Sequence, residues 1–272
     1  TQIIARYVTD VRDGGNTDAH VPSEGPGGRH YTVHVANEMG DVLAKNGWIL
    51  RDSTKSIGIL ASFRNHTAAS SFGDRGYEGT QLSGYANVVY QQTLSGGNDQ
   101  FKTGAGFQYD AYDESFLDSA FSRIERMPGV FAEYTRSRNR FTMVAGVRAD
   151  FNSVYGDAVS PRVHVKYDLG PLTTIRLSMG HGFRSANPLV ENAGALASSR
   201  KVVVEGPLRM ERSWNFGASF LHKWKWAGKK WALGIDAYRS EFTDQVVADL
   251  DRSPRTLAIY MMRGVSYANS ML

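Results

Sequence analysis

Hydrophobic and polar positions alternate one by one along most of the chain. In Pro161–Asp168, Val163, Val165 and Tyr167 fall on one side and Arg162, His164 and Lys166 on the other. In Leu172–Phe183, Ile175, Leu177 and Met179 oppose Arg176, Ser178 and Gly180. Side chains of an extended strand point to opposite faces in turn, so a period of two predicts strands and not helices. The corner Asp168-Leu169-Gly170-Pro171 between the two runs is turn chemistry, which predicts a hairpin. The same alternation sets Val130, Ala132 and Tyr134 against Phe131, Glu133 and Thr135. It also sets Phe141, Met143, Ala145, Val147, Ala149 and Phe151 against Thr142, Val144, Gly146, Arg148 and Asp150.

Read through in this way, the chain predicts about twelve strands with no helical stretch between them. They are Gln2–Val11, Tyr31–Ile49, Lys55–His66, Gln81–Thr93, Gln100–Tyr112, Met127–Arg136, Phe141–Asn152, Pro161–Asp168, Leu172–Phe183, Arg212–Trp226, Lys230–Ala248 and Thr256–Tyr267. Short turns at Leu50–Thr54, Ser95–Asp99, Ser137–Arg140, Leu169–Pro171 and Ala227–Lys229 alternate with longer connections. The longer ones are Arg12–His30, Thr67–Thr80, Asp113–Arg126, Arg184–Glu211 and Asp249–Arg255, with Ser153–Ser160 a modest loop where a long one is due. In an up-and-down meander, alternate connections lie at opposite ends. One end therefore carries short turns and the other elaborated loops, which is the anatomy of an outer-membrane barrel. A soluble sandwich packing apolar faces together has the same periodicity. Strand length, the loop rule and aromatics near strand ends (Tyr112, Tyr134, Phe141, Phe151, Tyr167, Trp226, Trp231, Tyr238) favour the membrane.

Composition narrows the choice without making it. The mean hydropathy of −0.36 and the absence of a long apolar run argue against membrane helices but not against a barrel, whose strands alternate. The 28 glycines and 11% aromatics suit β-structure with many turns. There is no cysteine, which excludes disulfides, thiolate metal sites and cysteine nucleophiles. The net charge of +4 is spread along the chain, with no tract suited to nucleic acid. Both ends read as cut within strand patterns, as in an interior piece of a longer protein.

Four motifs in order carry a resemblance. Gly146-Val147-Arg148-Ala149-Asp150 ends one strand, Ser160-Pro161-Arg162 opens the next, Gly180-His181-Gly182-Phe183-Arg184 closes the third, and Glu211 leads a strand after a long loop. This order and spacing, over Met127–Leu272, resembles the barrel of TonB-dependent outer-membrane receptors, with wording most similar to those of Bacteroidota. The resemblance implies an all-β, antiparallel up-and-down transmembrane β-barrel of 22 strands, of which this chain supplies about twelve. It further implies a plug domain elsewhere, TonB as partner through that plug, outer-membrane lipids around the wall, and active uptake of a scarce nutrient, a ferric or other metal chelate first. A passive porin and a soluble all-β binding module are the alternatives.

Within that frame Glu133, Arg148, Asp150, Arg162, His164 and Arg176 are candidates to face the lumen and plug, or simply solvated lumen polarity. Arg184, Asn187, Glu191, Asn192, Arg200 and Lys201, on the long loop, are candidates to meet ligand outside the cell. His30 and His34 lie four apart on one predicted strand face, but a haem reading finds no histidine in the Arg184–Glu211 loop. No catalytic motif, metal-ligand spacing or phosphate-cradling glycine loop is present, and no cofactor is called for.

Overall fold

The computed structural model describes residues 1–15, 31–117, 119–192 and 198–271. Its strands are β1 (Gln2–Gly15), β2 (Thr32–Ile49), β3 (Lys55–Phe72), β4 (Arg75–Leu94), β5 (Asp99–Phe116), β6 (Ser119–Arg138), β7 (Phe141–Asn152), β8 (Gly156–Gly170) and β9 (Thr173–Arg184). A four-residue helix α1 (Pro188–Glu191) and β10 (Lys201–Glu205) follow, then β11 (Glu211–Trp226), β12 (Lys229–Asp249), β13 (Thr256–Met262) and β14 (Val265–Met271). From β1 to β9, and on through β11 and β12, each strand is antiparallel to its neighbour. β13 and β14 both pair with β12, as one strand broken at Arg263–Gly264, so the wall has twelve strands among the described residues. Among the described residues β1 pairs only with β2, and their sheet does not close on itself.

The register fixes which side chains share a face. Val163 stands opposite Met179, Val165 opposite Leu177, Tyr167 opposite Ile175, Met143 opposite Val165 and Val147 opposite Pro161. These residues line one face, and Val147, Val163, Leu177 and Met179 are openly exposed on it. A continuous apolar face of this extent needs a cover, and on the convex side of a barrel wall the cover is lipid. Near the short turns the same face carries Trp48, Tyr90, Phe101, Tyr134, Phe141, Tyr167, Trp224 and Trp231 in successive strands. That is an aromatic girdle at one membrane interface. Tyr112 and Tyr238, read from the sequence as girdle residues, instead face inward. Tyr112 lies opposite Gln81 and Arg123, and Tyr238 opposite Gly217.

The short turns hold as expected, each by local chemistry. Ala227 and Gly228, both at positive φ (50° and 75°), close the β11–β12 hairpin in the conformation a two-residue turn demands. In the β2–β3 turn, the hydroxyl and amide of Thr54 donate to Asp52, with Lys55 beside it, and hold that carboxyl down at about 2. Ionised Asp52 therefore favours the folded turn at any pH above the ordinary carboxylate range, and this support is lost as the pH falls towards about 2.

The long connections are where structure departs from expectation. Thr67–Thr80 and Asp113–Arg126 are not loops. β3 and β4 run on to a tight turn at Gly73–Asp74, and β5 and β6 run on to Leu117 at φ 53°. Strand alternation simply continues above the bilayer through small and polar residues that weaken the hydrophobic signal. Likewise β1 extends to Gly15 and β8 begins at Gly156. The rest of the Arg12–His30 connection, with His30, lies outside the described residues. The Arg184–Glu211 connection is partly built: it contains α1 and β10, and β10 pairs in parallel with β13.

Candidate ligand-binding site on the inner face

All six lumen candidates share the face opposite the lipid side. Glu133 lies opposite Gly146 and Lys102, Arg148 opposite Phe131, Asp150 opposite Gly129, Arg162 opposite Gly180, His164 opposite Ser178, and Arg176 opposite Lys166. Glu133 takes an ion pair from Arg162 at 2.5 Å and another from Lys102 at 3.6 Å. Arg148 Nε donates to both oxygens of Asp150, at 2.8 and 2.7 Å, and Asp150 is 1% exposed. Gly129 makes room for this pair: a Cβ there would collide with the Asp150 carboxylate and press on the Arg148 guanidinium. Gly129→Val is expected to cost about 1–3 kcal/mol by overpacking, read as a lower thermal unfolding midpoint of the full-length receptor. His164 and Arg176 line an open hollow of about 500 Å³ on the inner wall with Lys166, Ser178 and Tyr238.

Higher on this face, towards the long-loop end, the polar groups become buried. Glu125 (5% exposed) pairs with Arg123 at 2.8 Å and accepts hydrogen bonds from Asn152 and Ser185, each at 2.7 Å. Asp110 accepts from Ser83 at 2.5 Å and from Gln108 at 2.6 Å. The cover over these groups is the segment that leaves β9, which folds inward as a strap. Pro188 suits the first helical position of α1. In place of a side-chain cap, the Glu191 carboxylate accepts the Asn187 amide at 3.0 Å. The Arg184 fork grips Glu191 and Glu211 together. Arg123 donates to the Asn187 side chain, and Arg75 donates to the Arg200 carbonyl at 3.0 Å. Leu189 completes a buried cluster with Phe72, Tyr77 and Phe116, against which Val202 packs.

These contacts sort the six loop candidates. Arg184, Asn187, Glu191 and Asn192 hold the strap's own fold, Asn192 by donating to the Pro188 carbonyl at 2.8 Å. Arg200 accepts from Arg75 and reaches the Pro254 carbonyl at 3.3 Å. Lys201 lines the cleft that the strap leaves against the wall. Glu125→Ala leaves the Arg123 cation half-buried without its partner, and we expect a loss of about 3 kcal/mol. Limited proteolysis checks this, since cleavage within residues 185–205 should appear in the variant first.

The cleft holds about 730 Å³ between the upper inner wall of β4–β6 and the strap. Arg75, Arg123 and Lys201 bring positive charge, and Phe116, Phe121, Leu189 and Val202 bring apolar surface. Its one carboxylate, Glu114, already accepts the Tyr77 hydroxyl at 2.9 Å. The Arg75 guanidinium stacks 5.1 Å from the Phe116 ring centroid, and its buried Nε has no hydrogen-bond partner. Sequence reading missed Arg75, Phe116, Phe121 and Arg123 because it placed them in loops. The available signal was the period of two in Phe121, Arg123 and Glu125, which sets all three on one face. Among the described residues no group of three His, Asp or Glu could hold a metal ion.

A membrane-spanning antiparallel wall, lipid-facing outside and charged inside, with a ligand-sized cleft under an inward-folded loop, defines an outer-membrane barrel receptor. The chain belongs to the family described as TonB dependent receptor-like, beta-barrel, whose model matches residues 6–269. It is 24% identical over 205 residues to the iron-regulated outer membrane virulence protein of Vibrio cholerae, covering 67% of this chain and 31% of that protein. Among solved structures it is similar to the siderophore receptor PirA from Pseudomonas aeruginosa, with a TM-score of 0.64 at 13% identity, covering 98% of this chain and 49% of that one. It is similar to the FrpB iron transporter from Neisseria meningitidis, also at a TM-score of 0.64, with 11% identity, 98% of this chain and 47% of that one covered. The chain thus spans under a third of the curated relative and about half of the solved receptors it matches. The family resides in the Gram-negative outer membrane.

Proposed function

We propose that this chain forms the larger part of the wall and one side of the ligand site in an active transporter for an anionic ferric chelate, energised through TonB. The cleft carries this reading. Three cations and two phenyl rings around about 730 Å³ fit a bulky, negatively charged ligand with aromatic or apolar faces. Arg123 is already paired with Glu125, so Arg75 and Lys201 are the cations left to meet an anionic ligand. Similarity to a siderophore receptor, an iron transporter and an iron-regulated outer membrane protein supports the same substrate class. The lumen charges then divide in role. Arg148–Asp150 and Arg162–Glu133 pair within the wall, while His164 and Arg176 line the inner hollow and would be the pair left to meet a plug.

Arg75 and Lys201 give the cleanest test, because neither belongs to the Glu125 network. In the full-length receptor, Arg75→Gln with Lys201→Gln should weaken binding of a ferric tris-catecholate at least about tenfold, roughly 1.4 kcal/mol, measured by intrinsic fluorescence quenching. A neutral ferric hydroxamate should be affected much less. Equal affinity of the variant and the parent for every ferric chelate would remove the cleft from the site.

A further inference from the structure

The tip of the β11–β12 hairpin, Lys-Trp-Lys-Trp-Ala-Gly-Lys-Lys-Trp over residues 223–231, takes no part in the ligand site. It lies at the short-turn end of the wall, opposite the strap. Trp224 pairs in register with Trp231, Trp226 with Lys229, and Lys225 with Lys230. Trp224, Trp226 and Trp231 therefore share the lipid face, Trp231 stacking 6.4 Å from Trp224 and lying tilted 6.1 Å from Trp226. The indole of Trp231 is tied to the turn by donating to the Trp226 carbonyl at 3.4 Å. Lys223, Lys225, Lys229 and Lys230 are all exposed, and none makes a side-chain hydrogen bond or ion pair among the described residues. On the inner side Asp168 is already paired with Lys166, and Asp236 lies further up β12.

By register Lys229 lies on the indole face and Lys223, Lys225 and Lys230 on the opposite face. At the end of the wall, four uncompensated cations and the fixed indole cluster therefore stand at one level on either side of the hairpin tip. Tryptophan seats at the level of lipid headgroups, where an apolar ring meets water. Lysine stems at a strand tip extend along apolar surface and present their ammonium groups at that same level. What lies there is the phosphate layer of the inner leaflet. We propose that this hairpin tip is a binding site for anionic phospholipid, the lysines meeting the headgroup phosphate and the tryptophans the glycerol and upper acyl region. The neighbouring turn extends the platform: Leu169 and Leu172 are exposed there, Arg140 donates to the Leu169 carbonyl at 3.1 Å, and the Lys223 amide donates to the Leu172 carbonyl at 2.8 Å. Such a site would fix the height of this wall segment in the membrane.

The experiment titrates the full-length receptor with short-chain phosphatidylglycerol and with phosphatidylcholine, counting retained lipids by native mass spectrometry. The parent should prefer phosphatidylglycerol at least about fivefold. Replacing all four lysines by glutamine should bring the preference below about twofold, while four Lys→Arg changes retain it. Trp226→Ala with Trp231→Ala should weaken both lipids alike. Heat-modified gel mobility verifies that each variant is folded, as expected for exposed turn positions. Soluble glycerol phosphate should fail to compete at concentrations where the lipid saturates; equal competition would mean a free-phosphate site and overturn the proposal. An unchanged lipid preference in the glutamine variant would also overturn it, the more so if that variant lost its plug domain instead, since the lysines would then serve the lumen.

Discussion

Replacing residues 186–208 of the full-length receptor with a short Gly/Ser linker is expected to leave surface level unchanged and to weaken ferric-chelate binding at least about tenfold, a loss of roughly 1.4 kcal/mol. The flanking strands keep their partners, because β9 and β11 pair directly from Arg184–Glu211 down to Thr173–His222. The linker would remove Pro188, Leu189, Lys201, Val202, Val204 and Leu208, one whole side of the cleft. Some stability goes as well, since Leu189 and Val202 would no longer cover Phe72, Tyr77 and Phe116. That loss falls on the rim and not on the membrane-spanning register. Equal affinity and uptake at equal surface level would show that the strap is only a cover.

Val165→Arg should cost about 2–4 kcal/mol of folding free energy in bilayers, the cost of an arginine near the midplane on a lipid-facing position. Val165 sits between Met143 and Leu177 in register, all three on the apolar side of the wall. The paired control is His164→Arg, one residue away, where the new cation enters the open inner hollow beside Lys166 and Arg176. Adjacent positions on a strand face opposite solvents, so the control should cost far less. Refolding into vesicles from urea measures both. Equal costs for the two substitutions would mean that the faces are assigned wrongly.

The contrast between those neighbours is also why so much of the fold was legible in the sequence. A strand between lipid and a polar lumen must alternate, and in Phe141–Asn152 and Pro161–Asp168 every outward position is apolar or aromatic. The twelve-strand wall and the facing of Glu133, Arg148, Asp150, Arg162, His164 and Arg176 follow from parity alone. Above the membrane the outward face no longer meets lipid, and the constraint lapses. Thr67, Ala69 and Ser71 occupy outward positions of β3 that an apolar residue would hold lower down. The extensions of β3 to β6 therefore read as loops, and Arg75 and Arg123 were lost with them. The parallel pairing of β10 with β13 joins segments some fifty residues apart and depends on tertiary contact that no local pattern encodes. The inward fold of the strap is likewise written in partners, Arg123 for Asn187 and Glu125 for Ser185, whose chemistry is ordinary until they meet.

Transport of an iron chelate at the expense of energy is tested most directly by uptake. Cells making the full-length receptor would be given a radiolabelled ferric tris-catecholate, with TonB present or deleted, and the label inside the cells would be followed. Accumulation should require both the receptor and TonB, while binding at the cell surface persists without TonB and is weakened by Arg75→Gln with Lys201→Gln. Entry that proceeds equally without TonB would contradict this and mark the barrel as a passive pore.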